Sequence, residues 1–201
     1  RSARPRFRPE IQAFRETGSP FITNFNSVEY KAHAQNFVSA IDPNGLLYVG
    51  NFAGVLQYDG EKWRLIPTSN ITKVSALAVD DQGTVFVGAR GEIGKLVPDS
   101  KGELHFNSLI EDYLSILPQF QEVIQIVIQK NQVLFFIREG VISLQDRKIE
   151  FKKTDSDILA AFSVNDKVFV QLKNNGLLQW QDAAVDFLKS DLLQSDATLI
   201  T

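Results

Sequence analysis

From Phe37 onward, apolar and polar residues fall into short regular blocks: an apolar run, a turn of Asp, Asn or Gly, and a second apolar run. Residues 40–50 read AIDPNGLLYVG and residues 78–88 read AVDDQGTVFVG, with five of eleven positions identical at an offset of 38. Two looser copies follow, VIQKNQVLFFI at 127–137 and FSVNDKVFVQL at 162–172, which keep strand, turn and strand but lose the glycines. After each pair comes a short polar loop and a third apolar stretch ending at Asp: GVLQYDG (54–60), IGKLVPD (93–99), GVISLQD (140–146) and GLLQWQD (176–182). A further short segment then carries an aromatic, in turn Trp63, Phe106, Phe151 and Phe187, at a mean interval of about 41 residues.

Four strands of four to six residues, joined by Gly/Asn/Asp turns and repeated every 40 or so residues, predict an all-β protein: a β-propeller of about four four-stranded blades. The physical reason is burial. A twisted sheet with apolar side chains on both faces cannot cover either alone, and stacking sheet on sheet buries both. The aromatic of the fourth strand is expected to fill the gap that widens between blades away from the axis. The pattern divides 37–201 into blades at approximately 37–72, 73–120, 121–156 and 157–201. Ahead of them, 18–36 is polar and turn-rich. Residues 1–17 open with Arg1, Arg4, Arg6 and Arg8 and two early prolines, which predict a flexible basic lead rather than a central strand. The alternative for that lead is a basic patch that docks on an acidic surface.

Composition narrows the function classes. The chain has no Cys, so disulfides, thiolate metal sites and a cysteine nucleophile are excluded. It has no Met either and begins Arg-Ser-Ala, as expected of a processed chain or a piece of a longer one. The longest apolar runs, Val133–Ile137 and Ile158–Phe162, fall far short of the roughly 20 residues that span a bilayer. A pI near 5.4 argues against nucleic acid as a partner.

Chemistry-bearing motifs are sparse. The two histidines, His33 and His105, read as a loop residue and an exposed outer-strand residue, with no companion ligands for zinc. Gly88–Gly94 (GARGEIG) superficially suggests a phosphate loop, but an apolar strand follows it instead of a helix. Asp42-Pro43-Asn44-Gly45 and Asp80-Asp81-Gln82-Gly83 have hairpin-turn chemistry; a calcium loop needs more converging oxygens than either supplies. No catalytic, cofactor or metal residue is expected.

In the amino-terminal part, Gly18, Pro20, Asn24, Phe25, Tyr30, Gln35, Asn36 and Phe37 are followed by Asp42, Gly45, Tyr48, Gly50, Asn51, Gly54, Tyr58, Asp59, Gly60 and Trp63. This order resembles the two-component regulator propeller family, although Trp usually stands where Phe37 does. The resemblance is specific over 18–99; residues 100–201 match only as degenerate blades. It implies a non-catalytic, ligand-sensing propeller on the periplasmic or extracellular side of a bacterial membrane receptor, with the parent protein membrane-anchored. It also implies a ring of about seven blades, so that this chain would be a piece completed by further blades of the same propeller; the alternatives are four blades closing on themselves or on a second copy.

In such a fold the loops joining second to third strands share a face with the blade-to-blade loops. Those second-to-third loops contribute Asn51, Phe52, Arg90, Arg138, Lys173 and Asn174 as the candidate ligand face. Three cations there suit an anionic small molecule or acidic oligosaccharide, since Arg binds carboxylates bidentately. The segment Ile110–Gln121 is a second candidate, as an insertion on that face or as a short packed helix. A protein-binding scaffold and, less favoured, a propeller-fold polysaccharide lyase are the alternatives.

Overall fold

The computed structural model describes residues 22–129, 132–165 and 167–180 and the backbone of 188–189; the basic lead 1–17 and Phe187 lie outside the described residues. Among the described residues, sixteen strands form four antiparallel sheets, each paired in chain order. The first sheet is β1 (Asn36–Ile41), β2 (Leu47–Asn51), β3 (Gly54–Tyr58) and β4 (Trp63–Ile66). The second is β5 (Val74–Val79), β6 (Val85–Ala89), β7 (Glu92–Pro98) and β8 (Leu104–Ser108). The third is β9 (Val123–Gln129), β10 (Gln132–Ile137), β11 (Gly140–Gln145) and β12 (Lys148–Lys153). The fourth is β13 (Ile158–Val164), β14 (Lys167–Leu172), β15 (Gly176–Trp180) and β16 (Leu188–Lys189). First strands β1, β5, β9 and β13 pack on one another in succession, which makes the four sheets the blades of a propeller.

Burial follows from the stacking. All five residues of β6 are buried, as is the whole run Val133–Ile137 of β10, because both faces of these second strands meet a neighbouring sheet. Three apolar clusters fill the gaps: Tyr48, Val55, Val74 and Val87 between blades 1 and 2; Phe86, Ile93, Val123 and Phe135 between 2 and 3; Phe136, Val170, Leu178 and Trp180 between 3 and 4. No described cluster joins blade 4 to blade 1. The free side of blade 4 instead shows Leu159, Phe162 and Val164 to solvent, at 51%, 41% and 49% exposure.

The repeated glycines of the second strands serve this packing. A Cβ on Gly88 would lie 2.6 Å from Val123 Cβ, and one on Gly50 would lie 2.7 Å from the Val74 carbonyl oxygen. Each glycine therefore lets the first strand of the next blade approach. In the third repeat Phe136 takes the place, and its ring meets Trp180 edge-on at 6.0 Å, so an aromatic fills a space that glycine elsewhere keeps closed.

The Asp-led turns use their carboxylates internally. Asp42 Oδ1 accepts from Asn44 N and Leu46 N, both at 2.9 Å, and Asp80 Oδ1 accepts from Gln82 N and Thr84 N at 3.0 and 2.7 Å. Gly45 and Gly83 close these turns with φ of +86° and +84°, a region that glycine enters without steric cost. Asp59 and Asp99 build the same device at the later hairpins. Their amide donors hold both carboxyls below the ordinary aspartate range.

The aromatic of the outer strand behaves differently from one blade to the next. Phe106 packs at the edge of the blade 1–2 cluster and Phe151 at that of the blade 2–3 cluster, as a gap-filling role requires. Trp63 does not reach a neighbouring blade. It stacks on Tyr58 at 4.6 Å and meets Phe25 at 5.3 Å and Tyr30 at 5.8 Å, both from the segment ahead of β1. That segment forms one turn of helix, α1 (Ser27–Tyr30), started by a capping box of Asn26 and Glu29. It covers the outer part of blade 1's free side, the side on which Leu56 is buried, whereas the free side of blade 4, which faces the opposite way, shows apolar residues to solvent.

Candidate functional site

The antiparallel meander fixes where each loop emerges. Loops from second to third strands and from each blade to the next leave at one face, and the Asp-turn hairpins leave at the other. The first residue of each second-to-third loop is Phe52, Arg90, Arg138 and Lys173 in blades 1 to 4. Three of these are pinned in the same way: the N–H groups of Phe52, Arg90 and Lys173 donate to the carbonyls of Gln35, Lys73 and Asp157 at 3.2, 3.0 and 2.9 Å. The acceptor in each case directly precedes the first strand of its own blade. Equivalent side chains are thereby presented at the same height on the same face.

Their surroundings differ. Phe52 is half exposed and lies 4.8 Å from the His33 ring, so blade 1 offers an aromatic pair. Arg90 donates from Nε and Nη2 to Gln121 Oε1 at 3.2 and 3.0 Å. Arg138 faces Asp157 at 3.8 Å across an exposed gap, a contact of little energetic weight. Lys173 is exposed, and neither it nor Arg90 has a carboxylate partner among the described residues. Asn174 is placed beside it, its N–H donating to Ser156 Oγ at 3.2 Å.

Asn51 corrects the expectation from sequence. It is fully buried, not ligand-facing. Its Nδ2 donates to the carbonyls of His33 and Gln35 at 2.5 and 3.1 Å and to Asn36 Oδ1 at 2.7 Å, while Oδ1 accepts from Ala53 N at 3.0 Å. Both ends of the amide are engaged and the side chain is buried, so Asn51 fixes the lead and the Phe52 loop in place and contributes no surface.

Three groups on this face were missed from sequence. Lys73 pairs with Glu122 at 2.5 Å and sits 4.4 Å from the centre of the Phe37 ring. The signal was available: Lys73 and Glu122 directly precede β5 and β9, in the blade-to-blade loops that share the face.

The segment after β8 takes one 3-10 turn (Glu111–Tyr113) and then loops back to β9, so the expected short packed helix is reduced to that single turn. Ile110 and Phe120 anchor it in the core, and Leu114 remains 67% exposed. Between it and the loops at 70–72 and 90–91 lies a cleft of about 730 Å³. A larger groove of about 1270 Å³ opens on the opposite face between blades 2 and 3, with Lys95, Asn107 and Arg147 in its walls; of the expected residues, Glu111 and Tyr113 of the 110–121 segment reach it, and the loop residues of the candidate face do not line it. The glycine-rich run Gly88–Gly94 leads directly into β7, so no helix dipole is present to hold a phosphate.

No protein-family model and no curated protein matches the sequence. Solved structures do match. The extracellular domain named for a hybrid two-component system of B. thetaiotaomicron superposes with a TM-score of 0.59 at 15% identity, over 78% of this chain and 23% of that one. A second extracellular domain from the same organism, named for a one-component system, gives 0.57 at 18% identity over 76% and 21%. Virginiamycin B lyase of Staphylococcus aureus gives 0.56 at 15% identity over 73% and 52%. At these identities the likeness establishes the propeller fold. The chain spans about a fifth to a quarter of the two extracellular domains it resembles.

Proposed function

We propose that this chain is a non-catalytic, ligand-sensing propeller region of a bacterial membrane receptor, acting outside the cytoplasm. Among solved structures of the same fold, extracellular domains named for a one-component and a hybrid two-component system support the reading, as does the motif order over residues 18–99. The observation that carries it is the face itself: Arg90, Arg138 and Lys173 stand at equivalent loop positions of three consecutive blades, and two of them lack a carboxylate partner among the described residues. A cation left without an acid partner is ready to pair with an incoming anion. The ligand is a small organic anion or an acidic oligosaccharide. The open apolar side of blade 4 is the seam for further blades or a second copy.

The test is thermal unfolding with a panel of organic anions and of acidic and neutral oligosaccharides, on the chain and on the Arg90→Gln/Arg138→Gln/Lys173→Gln variant. A stabilising anion raises Tm through binding to the folded state only, worth about 2.7 kcal/mol at a hundredfold excess over Kd. The account expects at least one acidic compound to raise Tm in the parent and none in the variant. Equal stabilisation of both, or of neither, overturns it.

A further inference from the structure

The cleft beneath residues 110–121 differs chemically from the rest of the face. We infer that it binds a small organic monoanion with an apolar body, a carboxylate carried on a hydrocarbon chain or ring, with its charge seated on Arg90. This rests on the reading of that face as the recognition surface and names the ligand class for one part of it.

Among the described residues lining the cleft, Arg90 is the only charged one; Ile110, Leu114, Leu117 and Phe120 supply apolar wall. A cation with no acid opposite it and a greasy wall beside it select both halves of such a ligand. Arg90 is also preorganised. Its main chain is bound to the Lys73 carbonyl, and its fork rests on the neutral Gln121 amide, which orients the guanidinium without cancelling its charge. The neighbouring cation, Lys73, is neutralised by Glu122 and so does not compete.

Leu114 is exposed over the opening, and an apolar body laid beneath it would remove that surface from water. The volume, about 730 Å³, falls in the range of small-molecule sites. An inorganic anion would use Arg90 and waste the wall; a neutral hydrocarbon would use the wall and leave the guanidinium unmatched.

Octanoate, octanol and acetate separate these contributions by isothermal titration calorimetry on the 201-residue chain. Octanoate is expected to bind with one-to-one stoichiometry, about tenfold or more tighter than either octanol or acetate. Arg90→Gln, at an exposed position, should abolish the preference of octanoate over octanol. Leu114→Asn should weaken octanoate several-fold and leave acetate unchanged. Octanoate binding no tighter than octanol, or binding unchanged in Arg90→Gln, overturns the inference. If octanoate fails while other anions still raise Tm in the parent and not in the triple variant, this inference falls and the broader reading of the face stands. If both fail, both fall.

Discussion

Phe136→Ala is expected to lower stability by about 3 to 5 kcal/mol and to detach blade 4 from the rest of the stack. Phe136 is fully buried, and its edge-on contact with Trp180 sits in the one described cluster that joins blades 3 and 4. Truncation removes the ring and leaves a void that the stiff β-branched neighbours, Val168, Val170 and Ile158, are poorly able to close. Stability in stacked repeats is largely a sum of unit and nearest-neighbour terms. Amide hydrogen exchange should therefore show lost protection in β13–β15 and adjoining β9–β10, while β1–β8 keep theirs. Uniform loss through all four blades would contradict the nearest-neighbour picture, and a urea midpoint unchanged from the parent would contradict the packing role.

The second large effect concerns the opposite error, too much volume. Gly88→Val should cost about 3 kcal/mol, at the upper end for overpacking. The new Cβ would sit 2.6 to 2.9 Å from three carbons of the Val123 side chain. Val123 opens β9 and is itself completely buried, so it cannot swing aside. Relief requires the first strand of blade 3 to move away from blade 2, which would also disturb the Ser75 Oγ bond to the Val123 carbonyl, now 2.8 Å. Urea unfolding of this variant should show a lowered midpoint. A near-neutral result would mean that the repeated glycine marks backbone geometry alone and not the approach of the next blade.

These two residues also indicate how much the sequence disclosed. Strand order, turns and blade number were legible because they recur: in the first two blades an Asp that captures its own turn and a glycine near the end of the following strand repeat at fixed spacing. The loss of the glycine after the second repeat looked like degeneration, yet Phe136 takes its place and packs on Trp180, a contact between residues 44 apart that no local pattern announces. Trp63 was legible as a packing residue and illegible in its partner, because Phe25 and Tyr30 lie in a segment without period. Asn51 shows the limit for sites. Asn in a strand-end loop has the same local sequence whether its amide faces solvent or clamps three backbone and side-chain groups, and only the return of His33–Asn36 to that spot decides it. The cations at Arg90, Arg138 and Lys173 could be placed on a shared face, since meander topology alone dictates which loops emerge together.

That shared face is the central claim, and amide chemical-shift mapping tests it most directly. An isotope-labelled chain would be titrated with whichever acidic compound gives the largest Tm increase, or with the most concentrated anion pool if none does. The account predicts shift changes concentrated at residues 52–53, 90–91, 138–139 and 173–175 and at their blade-to-blade neighbours 72–73, 121–122 and 156–157. Changes centred on the Asp-turn hairpins at 42–45, 80–83 and 99–102, or in the groove around Lys95 and Asn107, would contradict it, as would a titration that moves no amide on the cationic face.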